Sequence, residues 1–162
     1  MIKLMISPRA WARVFAMMAL GTALTSLLSL PVVQSQHKTE DDSSVIHDYR
    51  GIQLGMLAND VRKKLGEPKD KSDQQDFYLF GESETAQIVY DKTGKVVTIS
   101  ADFLTASSTV PTCKQVLGAD VEAKADGSVY KMVRFPKAGY WLSFNRTGGA
   151  SPLTTVTLQK IQ

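Results

Sequence analysis

The sequence predicts an α+β domain: two helix-plus-three-strand repeats, with short helices packed on one face of an antiparallel sheet. Three observations predict it. The chain matches itself in three blocks taken in the same order, residues 61–66 with 113–118, 88–94 with 142–148, and 97–99 with 156–158. Each series opens on apolar residues at helical spacing closed by glycine, and continues into runs rich in aromatic and β-branched residues. The chain has 162 residues, 43% hydrophobic and 22% charged, which fits one globular domain rather than a disordered or fibrous chain.

The first 35 residues read as a secretory signal. Lys3, Arg9 and Arg13 form a positive start, and Pro31 ends the apolar run over 14–30. Val33-Gln34-Ser35 suits cleavage after Ser35. A membrane span needs roughly 20 apolar residues. This run has 17, diluted by Gly21, Thr22, Thr25, Ser26 and Ser29, so an uncleaved anchor is the alternative reading. The single cysteine, Cys113, lies far downstream, which excludes a lipoprotein anchor and a disulfide framework. Residues 36–49 are polar and read as a flexible tether, with Glu40-Asp41-Asp42 as a solubilising run and His37 and His47 as solvated side chains. Taking the three leader cations from 19 Lys+Arg leaves 16, against 16 Asp+Glu. The remainder is neutral and offers no electrostatic footprint for nucleic acid.

Residues 50–162 form the expected domain, with repeats over about 50–104 and 105–162. Val61 and Leu65 share a helix face, Gly66 sits at the C-cap and Pro68 follows where helix cannot continue. Pro111 can open the second helix and Gly118 can close it. Strands are expected over 75–80, 86–91 and 95–103, with Lys92-Thr93-Gly94 as a tight hairpin, and over 129–135, 140–145 and 154–160. Glu82 and Glu84 fall in the hairpin between the first two strands and read as solvated loop charges.

Alternation assigns the faces. Ile88, Tyr90, Leu142 and Phe144 face the helices, as do Val97, Ile99, Ala101 and Phe103 with Val156 and Leu158. The opposite face then carries Gln87, Val89, Thr98, Ser100 and Asp102, with Trp141, Ser143, Asn145, Thr155, Thr157 and Gln159. That face is polar and threonine-rich with one large aromatic, as antiparallel sheets with one open side commonly are. Exposed aromatics on rigid strands are favoured interface anchors. Trp141, Asn145, Thr155, Thr157, Gln87 and Thr98 are therefore the candidate protein-binding residues.

Residues 51–68, GIQLGMLANDVRKKLGEP, resemble the entry motif of the SmpA/OmlA superfamily. That superfamily includes the small lipoprotein of the outer-membrane β-barrel assembly machine and the secreted β-lactamase inhibitory proteins. Its pattern is roughly Ile-x-x-Gly-Met-Thr, a variable gap, Val, three residues, Leu-Gly-x-Pro. This chain keeps Gly55, Met56, Val61, Leu65, Gly66 and Pro68. It departs at Leu57, where the family has a Thr or Ser helix cap, and Asn59 is the expected replacement cap. The tandem arrangement is more similar to the inhibitory proteins than to the single-unit lipoprotein. The resemblance implies short helices on one side of a curved antiparallel sheet whose open face binds protein. β-Lactamase inhibition is not carried over, because the inhibitory proteins are disulfide-bonded and this chain has one cysteine.

No catalytic constellation stands in the sequence: no Gly-x-Ser-x-Gly elbow, P-loop, Gly-x-Gly-x-x-Gly or His-Glu-x-x-His. Cys113 with His47 is a nucleophile–base pair that residue type alone allows. The repeat aligns Cys113 with Val61 on a packed helix face, where a thiol is an inert small hydrophobe. No metal site and no cofactor are expected. The expectation is an exported, non-enzymatic binding module of the bacterial cell envelope, periplasmic or secreted, that docks to an envelope or periplasmic protein through the open face. The alternative is a proteinaceous inhibitor of a secreted or periplasmic enzyme.

Overall fold

The computed structural model describes residues 46–105 and 109–161. The expected signal segment, His37 and most of the tether lie outside them. The element order is α1 (Ala58–Leu65), β1 (Asp70–Lys71), β2 (Gln75–Leu79), β3 (Glu84–Tyr90), β4 (Val96–Leu104), α2 (Cys113–Leu117), β5 (Val129–Phe135), β6 (Tyr140–Arg146) and β7 (Leu153–Lys160).

The expected pair of helix-plus-three-strand repeats is not the architecture. Among the described residues the strands form one seven-stranded antiparallel sheet in the order β1-β2-β3-β4-β7-β6-β5, with just two short helices. Two features overturn the expectation. A two-residue strand, Asp70–Lys71, adds itself to the free edge of β2 through Asp70↔Phe77 and Lys71↔Asp76, so the two stretches are unequal. In addition, β4 and β7 pair along seven residues, from Thr98↔Gln159 to Leu104↔Leu153, which fuses them into a continuous sheet. The sheet is the organising element, and the helices of eight and five residues are attachments to it.

The sheet's buried face follows from strict alternation. Ala86, Ile88 and Tyr90 of β3, Ile99, Ala101 and Phe103 of β4, and Leu142 and Phe144 of β6 point to the helical side and are buried. A β-bulge between β3 and β4 interrupts the register: Val89 pairs with Thr98 and Tyr90 with Val96, leaving Val97 extra. Val96 is consequently fully buried and Val97 only half so. Val61 of α1 and Cys113 and Val116 of α2 complete the same core, together with Ile52.

Both helices end on glycine with positive φ, Gly66 at 85° and Gly118 at 75°. Their starts differ from expectation. Asn59 does not cap α1, because the helix begins at Ala58 and Asn59 already lies within it. Leu57 occupies the cap position without a side-chain bond, and the Ala58 N–H instead donates to the Gly94 carbonyl at 2.9 Å. In α2 the cap is Thr112 rather than Pro111: the Thr112 hydroxyl accepts from the Gln115 N–H, and the Gln115 side chain accepts from the Thr112 N–H. The entry segment is stitched to β4 by Gly55 N–H to the Val96 carbonyl and Val96 N–H to the Met56 carbonyl.

Residues 46–49, the last of the expected tether, belong to the fold. Ile46 and Tyr49 pack against the core, and Tyr49 forms a β-bridge with Ile52. Glu84 is not a solvated loop charge. It opens β3, is 6% exposed, and accepts hydrogen bonds from Tyr49, Arg50 and Thr109. Among the described residues no helix is long and apolar enough to cross a membrane.

Candidate functional site

Across β2 to β7 the face away from the helices is organised in three cross-strand rows, each six residues wide, and Asp70 of β1 adds an exposed charge at the edge beside Phe77. One row runs Phe77, Gln87, Ser100, Thr157, Ser143, Met132. The next runs Gln75, Val89, Thr98, Gln159, Trp141, Arg134. The third runs Leu79, Thr85, Asp102, Thr155, Asn145, Tyr130. Alternation along each strand places all eighteen on the open side.

The six residues singled out from the sequence share this face. Asn145 and Thr155 are direct cross-strand neighbours. Trp141 and Thr98 lie in one row with Gln159 between them, and Gln87 and Thr157 lie in another with Ser100 between them. Trp141 is half-buried, flanked by Arg134 and Gln159. Sequence reasoning missed the outer strands. Phe77 and Leu79 on β2, and Tyr130 and Met132 on β5, are exposed large apolar side chains at the two ends of the face. Continuing the period-two alternation from Val129 and Phe135, both buried, would have found Tyr130 and Met132.

Only two of the eighteen positions are charged, Asp102 and Arg134. Three pairs of polar side chains on this face bond to each other. Thr155 Oγ1 donates to Asp102 Oδ1 at 2.6 Å, Ser100 Oγ and Thr157 Oγ1 lie 3.1 Å apart, and Gln87 Nε2 donates to Gln75 Oε1 at 2.8 Å. Covering such pairs costs less than covering unpaired donors, because the groups carry their partners with them. Apolar ends, depleted charge and aromatic or methionine anchors match the composition of a protein-interface core.

On the helical side Cys113 is buried at the start of α2, and burial pushes its thiol above the usual range, the reverse of an activated thiolate. Cys113 lines a recess with Phe144 and Arg146, whereas His47 lines a different one with Gln53 and Tyr140, so the structure does not bring the pair together. Among the described residues no three of His, Cys, Asp or Glu are grouped to hold a metal ion.

A further concavity sits over the centre of the sheet, on its helical side. It measures about 130 Å3 and has a floor of Ile99, Ala101, Phe103, Leu142, Val156 and Leu158. Tyr49 and Pro111 form walls, and Asp48 and Thr109 stand at its rim. Tyr49 is held by its hydroxyl, which donates to Glu84 Oε1 at 2.7 Å. Burial and the Glu84 carboxylate both push the Tyr49 hydroxyl far above its usual range, so it stays protonated. Arg50 grips the same carboxylate with Nε at 3.0 Å and Nη2 at 2.9 Å, and its guanidinium lies 4.2 Å from the Phe80 ring centroid.

The fold and its two surfaces define a single antiparallel sheet, roofed on one side and open on the other. No protein family, no curated protein and no solved structure matches this chain.

Proposed function

We propose that this chain is an exported, non-enzymatic binding module of the bacterial cell envelope. In this reading it docks through the open sheet face to an envelope or periplasmic protein that presents a neutral, partly apolar surface. One observation carries the docking surface: eighteen outward side chains in register, of which only Asp102 and Arg134 are charged. A merely solvated sheet face would carry lysines and glutamates at such positions. Tyr130, Met132 and Trp141 are the anchors at one end, and Phe77 and Leu79 those at the other. The apolar, basic-headed leader supports export. The motif over 51–68 supports membership of the SmpA/OmlA superfamily.

The reading is tested with a photo-crosslinking side chain placed at Met132 or Gln87, on the face, and at Lys114, on α2. The two face positions are expected to trap one and the same envelope protein, with Lys114 trapping none of it. Trp141→Ala together with Tyr130→Ala should weaken that capture by at least about tenfold, the loss expected of two aromatic anchors. Equal capture from all three positions, or capture indifferent to the double substitution, overturns the proposal. If the captured protein is an enzyme whose turnover falls on mixing, the inhibitor reading replaces simple docking.

A further inference from the structure

We propose that the cavity over the centre of the sheet is a binding site for a small uncharged molecule, a single six-membered carbon ring or a branched alkyl group of that size. Its floor is entirely apolar, supplied by Ile99, Ala101 and Phe103 of β4, Leu142 of β6, and Val156 and Leu158 of β7. Its volume of about 130 Å3 is close to that of apolar cavities, roughly 150 Å3, that stay dry and take up benzene or xenon. The space is well below the roughly 300–1,000 Å3 of sites for drug-sized ligands, which limits the occupant to one ring.

The rim explains the exclusion of anionic charge. The Tyr49 hydroxyl is spent on Glu84 at 2.7 Å, Thr109 Oγ1 points to the same carboxylate at 3.3 Å, and Asp48 Oδ1 accepts from the Gly51 N–H at 2.9 Å. Among the described residues no cation lines the cavity to receive an anionic ligand. An anionic occupant would lose its hydration without recovering hydrogen bonds.

The wall is fixed by a tight turn: Tyr49 and Ile52 exchange both backbone hydrogen bonds across Arg50-Gly51, a two-residue hairpin connection that requires positive φ at both central positions. Arg50, next to Tyr49, has φ of 51°, the one non-glycine residue with positive φ among those described. Its side chain is fixed by the two-pronged bond to Glu84 and by stacking on Phe80. The turn, and the bond from the Tyr49 hydroxyl to Glu84, fix the Tyr49 ring at the side of the space. The site lies on the helical side of the sheet, so its failure leaves the reading of the open face untouched.

The experiment is a titration of the full chain, methyl-labelled for NMR, with toluene, and separately with benzoate. Toluene is expected to give saturable shifts at the methyls of Ile99, Leu142, Val156 and Leu158 and to raise the melting temperature. Benzoate, the same ring with a charge, should bind at least tenfold more weakly. Ala101→Leu, which fills the cavity, should abolish the toluene shifts with no loss of melting temperature. Val156→Leu serves as a smaller filling if Ala101→Leu does not fold. Absence of saturable shifts, toluene binding that survives the folded filling variant, or equal binding of benzoate overturns the proposal.

Discussion

Glu84 shows how one side chain can fasten the entry of the chain to the sheet. Its carboxylate is buried, which on its own would raise its pKa. The Arg50 guanidinium, the Tyr49 hydroxyl and the Thr109 hydroxyl more than offset that and hold it below the usual glutamate value. A depressed folded pKa means the contribution to stability is in full above the unfolded glutamate's value of about 4.3. It drains away as pH falls through the lower folded value. Arg50 is partly exposed, so its charge is not stranded when the carboxylate is removed. Glu84→Gln is therefore expected to cost about 2 kcal/mol at pH 7, less than breaking a fully buried pair. The gap between the two proteins should narrow steadily below about pH 4. Urea midpoints at pH 7, 5, 4 and 3 measure it, and a gap that does not change with pH would show that the carboxylate's charge contributes nothing.

The two helices are held by different means, and only one of those is local. In α1, Arg62 reaches Asp76 of β2 with both Nε and Nη2 at 2.8 Å, while the Tyr90 hydroxyl donates to the same fully buried carboxylate at 2.7 Å. An isolated buried carboxylate would cost several kcal/mol, and these three donors make its burial tolerable. The start of α1 is satisfied by Gly94, which lies 36 residues beyond Ala58 in the turn before β4. In α2 the Thr112–Gln115 capping box does the equivalent work within four residues. This contrast fixes an outcome: Thr112→Ala should lose about 1 kcal/mol, whereas Asn59→Ala should stay within about 0.5 kcal/mol of the parent. Thermal melts of the two variants distinguish them, and a larger loss at Asn59 would restore it as the cap. The same contrast explains what the sequence can reveal about helices. Gly66 and Gly118 mark both ends because a positive φ is a property of one residue. The start of α1 is illegible because its partner is supplied by a distant hairpin.

At the scale of the whole molecule, strands and faces were legible, and the way they assemble was not. Period-two alternation in 86–90, 98–103, 141–145 and 154–159 is a local signal, and it places Trp141, Asn145, Thr155, Thr157, Gln87 and Thr98 on one side. Matching one stretch of chain to another says nothing about which strand edges meet. It therefore could not show the β4–β7 seam or the short β1 that closes an edge. Glu84 looked like a loop charge because its donors Tyr49 and Arg50 lie 35 and 34 residues away. The cavity is a property of packing, with no sequence pattern of its own. A continuous sheet has a thermodynamic consequence that two separable repeats would not share. Ile88 sits on β3 and Leu142 on β6, both fully buried on the helical face, on opposite sides of the central β4–β7 pair. Truncating either to alanine should cost about 3 kcal/mol. Because β4 and β7 are bonded along seven residues, the loss must be felt by the entire sheet. In a Trp11→Phe background, Trp141 fluorescence reports the C-terminal strands alone. Ile88→Ala is expected to move that fluorescence transition in urea to the same midpoint as the far-UV circular dichroism transition. Leu142→Ala should do likewise. If Ile88→Ala lowers the dichroism midpoint and leaves Trp141 melting where it does in the parent, the seam does not couple the two sides and the sheet is two structures in contact.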